Sequence, residues 1–268
     1  MRVQRNQFQI GGAVVDFVSK AQVLALAQDF LKSADVRAAV IATVNAQFVH
    51  LASRQSRFAA FLRRADLSVA DGMSLVFASR ILGTPLPERI AGVDLACELC
   101  ALLAAQGGSV YLFGGRPGSA AIAQSRLRQL HPALRVVGVE CPPWDFEKSP
   151  ELAELALRRI QAAHPDLLLV GLGAPKQEYW IEENLHALPC KLVLGVGGTF
   201  EILSGRVRRA PSFMQQWGAE WFFRLCSEPK RLGLRYLSGN TYFVWALLRC
   251  GLQQQCYRMA RLIGKVTQ

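Results

Sequence analysis

Residues 167–178 read LLLVGLGAPKQE, an apolar run with no polar alternation, then glycines at 171 and 173, Pro175 and the polar pair Lys176-Gln177. A strand with one wet face alternates apolar and polar residues. A run that never alternates belongs to a strand covered on both faces, the usual state of a parallel sheet. The same texture recurs at 39–44 (AVIATV), 67–70 (LSVA), 109–113 (SVYLF), 135–139 (RVVGV) and 191–196 (KLVLGV). Amphipathic stretches near 19–33, 54–64, 73–82, 93–105, 118–130, 151–163 and 177–187 predict helices between them. FQI and AVVD around Gly11-Gly12 predict a small hairpin. The expected fold is α/β, a Rossmann-like and mostly parallel sheet with helices on both faces.

In such folds ligands bind beyond the carboxyl ends of the strands, and those positions are polar here. Thr43 and Asn45 end the strand at 39–44, and Asp71-Gly72 follow 67–70. GGRPGS (114–119) follows 109–113, GLGAPKQE follows the opening run, and GVGGTFE (195–201) ends the last strand. Gly114 and Gly173 would let backbone N–H groups approach a phosphate or a ligand edge. FGGRPGSA lacks both the dinucleotide fingerprint and the P-loop ending, so the turn alone identifies no cofactor. Asp71 has two readings, a helix cap or an acid–base group. The loop GTPLPERIAG adds Glu88 and Arg89. Five polar strand ends on one sheet exceed what packing requires.

The 268 residues carry a formal charge of +11, which asks for an anionic partner. From Glu201 onward eleven Lys/Arg face three Glu, so +8 of that charge belongs to the last quarter of the chain. After Gly205 the strand rhythm stops, and three of the five Trp cluster with arginines in what reads as two or three amphipathic helices. The expected division is residues 1–204 as a catalytic α/β domain and 205–268 as a basic, aromatic, helical appendage.

No run approaches the ~20 apolar residues of a spanning helix, and MRVQRNQFQI has no apolar core of a signal peptide. Seven cysteines without regular spacing predict a reduced, cytoplasmic setting. Cys97 and Cys100 form a CxxC with no partner pair for a zinc site. With Val93 and Ala104 they are expected on the buried face of a helix. The four histidines form no catalytic pattern.

The blocks TVNAQFVHLA (43–52), ADLSVADGMSLVFASRILGTPLPERIAGVDL (65–95), VYLFGG (110–115), LLLVGLGAPKQEYWI (167–181), GVGGTFEILSGRVRRAP (195–211) and EWFFRLCSEPKRLGLRY (220–236) resemble the WecG/TagA/CpsF glycosyltransferase family, in its order. The resemblance implies an inverting, metal-independent enzyme without a cofactor. It would move a sugar from a UDP-sugar to an undecaprenyl-diphosphate-linked acceptor, in exopolysaccharide, surface-antigen or teichoic acid assembly. It implies Asp71 as base, Thr43 and Asn45 beside it, Arg89 on the donor diphosphate and Gln177 on the nucleoside. Glu201 stands where many relatives carry Asp.

The family's basic appendage meets the membrane and completes the active site. Here Arg206, Arg208, Arg209, Arg224, Arg231 and Arg235 fit that role, with Trp217, Trp221 and Phe222 as interfacial anchors. The expected place is the inner face of the cell membrane, on an anionic surface, with a homo-oligomer left open. Two rival classes explain less. A nucleotide-cofactor oxidoreductase lacks its fingerprint, and a basic nucleic-acid-binding protein lacks any of the usual motifs.

Overall fold

The computed structural model describes residues 6–35 and 37–266; the side chains at 216, 230, 231, 234–236 and 253–266 lie outside that description, and with them those of Arg231 and Arg235. Strands β1 (Gln7–Ile10) and β2 (Ala13–Asp16) pair antiparallel. Their turn places Gly11 and Gly12 at φ +55° and +84°, a left-handed pair that side chains rarely tolerate. Asp16 ties the hairpin to the main sheet by accepting from Ser68 N at 2.7 Å.

The main sheet has six strands, all parallel, in the order β4-β3-β8-β7-β5-β6. They are β3 (Ala39–Val44), β4 (Leu67–Ala70), β5 (Ser109–Gly114), β6 (Arg135–Glu140), β7 (Leu167–Gly171) and β8 (Leu192–Gly195). The unalternating runs follow from two cores, one on each face. Val40, Ala42, Val44, Leu168 and Val170 pack into one; Ile41, Val69, Leu167, Leu169 and Leu194 pack into the other.

The helices of the α/β layer are α1 (Lys20–Lys32), α2 (Ala46–Arg54), α3 (Ser56–Arg64), α4 (Met73–Ile81), α5 (Gly92–Gln106), α6 (Ser119–Leu130), α7 (Pro150–Ala163), α8 (Lys176–Asn184) and α9 (Thr199–Leu203). Helix α2, which follows β3, joins the first core through Phe48 and Val49. Helix α9, which follows β8, joins the second through Phe200. Neighbouring strands whose helices leave to opposite faces open a crevice between their carboxyl ends. That places the crevice between β3 and β8.

Two sequence expectations change. The helix expected over 54–64 is α3, and a further helix, α2, precedes it, because Asn45 starts one by accepting from Gln47 N and Phe48 N at 3.1 and 3.3 Å. On α5 the buried face is Leu95, Ala96, Leu99, Cys100 and Leu103, while Val93, Cys97 and Ala104 are only half-buried. The side of α5 that lies along the second core is the one carrying Leu95, Ala96, Leu99, Cys100 and Leu103. Burial pushes the Cys100 thiol up to about 12. Among the described residues no group of three or more His, Cys, Asp and Glu is arranged to hold a metal ion.

Beyond Gly205 lie α10 (Ser212–Gln216), α11 (Glu220–Ser227) and the long α12 (Pro229–Val266). Helix α12 crosses α2 closely: a Cβ at Gly239 would come 3.5 Å from Gln47 Cα. Phe243 and Ala246 on α12 are buried in the first core with Val49 and Ala52. No helix, among the described residues, is long and apolar enough to cross a membrane.

Candidate active site

A cavity of about 430 Å³ opens at the β3/β8 crevice. Its floor is Thr43 and Asn45 at the end of β3, Asp71 at the end of β4, and Gly198 and Thr199 after β8. The Thr43 hydroxyl donates to Gly195 O at 3.3 Å, across the crevice.

Asp71 sits at the centre of the floor. Its backbone N–H donates to Val44 O at 2.8 Å, which seats it against the neighbouring strand. The Oδ1 atom accepts from Gly92 N, the first residue of α5, at 3.0 Å. Asn45 hydrogen-bonds the same carboxylate. The first turn of α4, which follows Asp71 directly, has Gly72 at its cap and no side-chain cap bond. The carboxylate is therefore not the cap of α4. Burial raises its pKa above the ordinary carboxylate range, and the Glu220 charge adds to that. The Arg89 charge and the Gly92 and Asn45 hydrogen bonds hold the rise back.

Arg89 comes from the loop between α4 and α5 and binds Asp71 twice over, in charge and in structure. Its Nε donates to Asp71 O at 2.6 Å, and its Nη2 meets Glu220 Oε2 on α11 at 2.5 Å. Arg224, one turn further along α11, also lines the cavity, and its Nε is shut from solvent without a hydrogen-bond partner. The other walls are mostly apolar, with Gln47, Ser74, Gln215 and Asn240 among them. Phe77 and Ile81 come from α4, Trp221 from α11, and Phe243, Val244 and Leu247 from α12. At the rim Ile81 is 71% exposed, and Trp217, next in the chain to the lining residue Gly218, is 81% exposed.

The remaining sequence candidates form a second group outside this lining. Gln177 is buried, and its Oε1 accepts from Gly173 N at 3.2 Å and Gly197 N at 3.0 Å, joining the loops after β7 and β8. Glu201 accepts from Arg116 N at 2.6 Å in the loop after β5. Gly114, at φ +104°, lies so close to β7 that a Cβ would meet Gly171 O at 2.8 Å. Gly173, at φ +79°, has open space where a side chain would be and so offers bare backbone. This group adjoins the cavity through Gly197-Gly198.

Two of the C-terminal arginines are tied elsewhere. Arg206 donates to Pro117 O at 2.6 Å. Arg209 grips Asp94 with two 2.6 Å hydrogen bonds, which hold the Asp94 carboxyl below its usual range. Both fasten the chain after Gly205 to the α/β layer. Sequence reasoning missed Glu220, Asn240, Phe243 and the α4 pair Phe77 and Ile81. For Glu220 a signal existed: it is one of two acidic residues in 205–268, amid eleven Lys/Arg.

The sequence model of the Glycosyl transferase WecG/TagA/CpsF family matches residues 8–257. A Bacillus spizizenii protein, an N-acetylglucosaminyldiphosphoundecaprenol N-acetyl-beta-D-mannosaminyltransferase, is 31% identical over 222 residues, covering 83% of this chain and 81% of the relative. The matched span includes every strand of the parallel sheet and every residue that lines the cavity. The chain belongs to the WecG/TagA/CpsF family of glycosyltransferases.

Proposed function

We propose that the chain transfers a sugar from a UDP-sugar to a sugar carried on a polyprenyl diphosphate, with inversion, without a metal, and with Asp71 as the base. The observation that carries this reading is a carboxylate at the cavity floor, raised in pKa by burial, with Arg89 beside it and Arg224 elsewhere in the cavity lining. The acceptor hydroxyl gives its proton to Asp71 while its oxygen bonds to the anomeric carbon. The bond from that carbon to the UDP oxygen breaks on the opposite face, and UDP departs with the electron pair. A buried base with a raised pKa takes a proton more readily than an ordinary carboxylate.

Arg89 and Arg224 supply the positive charge that the departing diphosphate needs. Gly114, Gly173, Gln177 and Glu201, beside the cavity, suit the nucleoside. Thr43 and Asn45 position the carboxylate and the crevice. The acceptor chemistry follows the relative's printed substrate and the apolar walls from α4 and α12, which lead from Asp71 to the exposed Ile81 and Trp217. Those residues and the basic segment fit peripheral binding to an anionic membrane, on its cytoplasmic side.

The test is UDP release from a panel of UDP-sugars mixed with a polyprenyl-diphosphate-linked N-acetylhexosamine, in excess EDTA. Release should depend on the acceptor and persist in the chelator. Release indifferent to the acceptor, or abolished by EDTA and recovered with Mg²⁺ or Mn²⁺, contradicts the reading.

A further inference from the structure

Glu220, Arg224 and Glu228 stand four residues apart along and just past α11. At 1.5 Å per residue this spacing puts all three on one side of the helix, spread over about 12 Å. Each meets a different loop at the carboxyl edge of the sheet. Glu220 pairs with Arg89, between α4 and α5, at 2.5 Å. Arg224 lies over Gly198 after β8, 3.1 Å from where a Cβ would stand. Glu228 pairs with Arg116 after β5, also at 2.5 Å. Glu220 and Glu228 are the only acidic residues in 205–268, and both are spent on arginines at the functional edge of the sheet.

The charge in the cavity argues against a merely supporting role. Its charged lining, among the described residues, is Asp71 and Glu220 against Arg89 and Arg224, which cancel. A nucleoside diphosphate brings at least two negative charges and needs cations that are not already neutralised. The Arg89–Glu220 pair is largely shielded, each side chain being 16% exposed, so water screens it little. A phosphate oxygen offers Arg89 the same geometry as a carboxylate oxygen, with more charge.

We propose that α11 is a latch whose Glu220 carboxylate competes with a donor diphosphate oxygen for Arg89, while Glu228 pins the other end of the helix on Arg116. Glu220 is thus an internal competitor that sets donor affinity, and Glu228 holds the far end of the same bar. Donor binding exchanges the Glu220 carboxylate for phosphate and frees α11 to bring Arg224 onto the diphosphate. This rests on the reading of the cavity as a nucleotide-sugar site.

The latch predicts a sign that a supporting ion pair does not. A competitor lowers apparent affinity by the fraction of molecules it keeps closed, so removing it tightens binding. The full chain, Glu220→Gln and Glu228→Gln are compared by calorimetric titration with UDP, with thermal melting to show that each is folded. Both variants should bind UDP more tightly than the parent, by roughly three- to tenfold for Glu220→Gln. Should Glu220→Gln fail to fold, Glu228→Gln carries the test alone. UDP affinity that is unchanged or weakened in the folded variants overturns the latch and leaves the donor site standing. No UDP binding by any of the three proteins overturns the donor site as well.

Discussion

The floor of the cavity and the helix that roofs it are held by different forces. Thr43, Asn45 and Asp71 are fixed by strand pairing and by hydrogen bonds to main-chain groups, inside a sheet buried on both faces. Helix α11 has no buried residue of its own and is held over that floor by Arg89–Glu220 and Arg116–Glu228. Helix α12 lies between these extremes, since Phe243 and Ala246 anchor it in the first core. Apolar burial and main-chain hydrogen bonds do not answer to ligand charge, whereas ion pairs do. The floor is built to hold geometry, and the roof is built to respond to an anion.

The largest effect expected from breaking the floor is on chemistry. Asp71→Asn keeps the shape and loses the base, so transfer should fall by ~10²-fold or more. UDP affinity should change little. The same variant should melt higher at neutral pH. A raised folded-state pKa costs the wild type stability as pH rises from the unfolded carboxylate value, about 3.9, up to the folded one. The difference in melting temperature should therefore close on acidification. In the parent enzyme kcat/KM should decline with falling pH, with its midpoint above the ordinary carboxylate range. A variant that transfers normally, or melts lower at neutral pH, breaks this account of the floor.

The next effect lies where roof and floor share a core. Phe243→Ala opens a void between α12 and α2, and a loss of about 3 kcal/mol is expected from urea unfolding. The expected appendage at 205–268 is, in its packing, partly core. Truncation after Ser204 should strip that face and lower stability by more than the point variant does. If Phe243→Ala unfolds at the parental urea concentration, α12 is only laid on the surface.

The smallest effect is expected at the rim. Trp217→Ala combined with Phe213→Ala removes two exposed aromatics, Phe213 being 63% exposed, that contribute nothing to the core. Melting temperature should not move. Sedimentation with anionic liposomes should weaken severalfold, and raising salt should weaken it further, since exposed charges are screened over about 8–10 Å. Liposome binding unchanged by both the substitutions and salt would show that the basic, aromatic rim is only solvated surface.

The sequence alone determined the sheet and its wet edge. Apolar runs such as 39–44 and 167–171 could be buried only on both faces, and short polar residues at their ends had no packing reason to be there. Thr43, Asn45 and Asp71 were legible for that reason and Arg89 as a residue of the loop before α5, while the family resemblance supplied the roles expected of them. What the sequence could not show was which elements close over them. Glu220 reaches Arg89 across 131 residues of chain, and neither a charge pattern nor a helical period encodes so distant a partner. The same holds for Phe77, Phe243 and Val244, which local periodicity marks as one face of a helix without naming what that face meets. Only the tertiary structure decided that Arg206 and Arg209 fasten the segment, that Arg224 alone among the described candidate arginines beyond Gly205 lines the cavity, and that two glutamates hold the roof. Local sequence sets the direction of each side chain, but long-range packing sets which charges become neighbours.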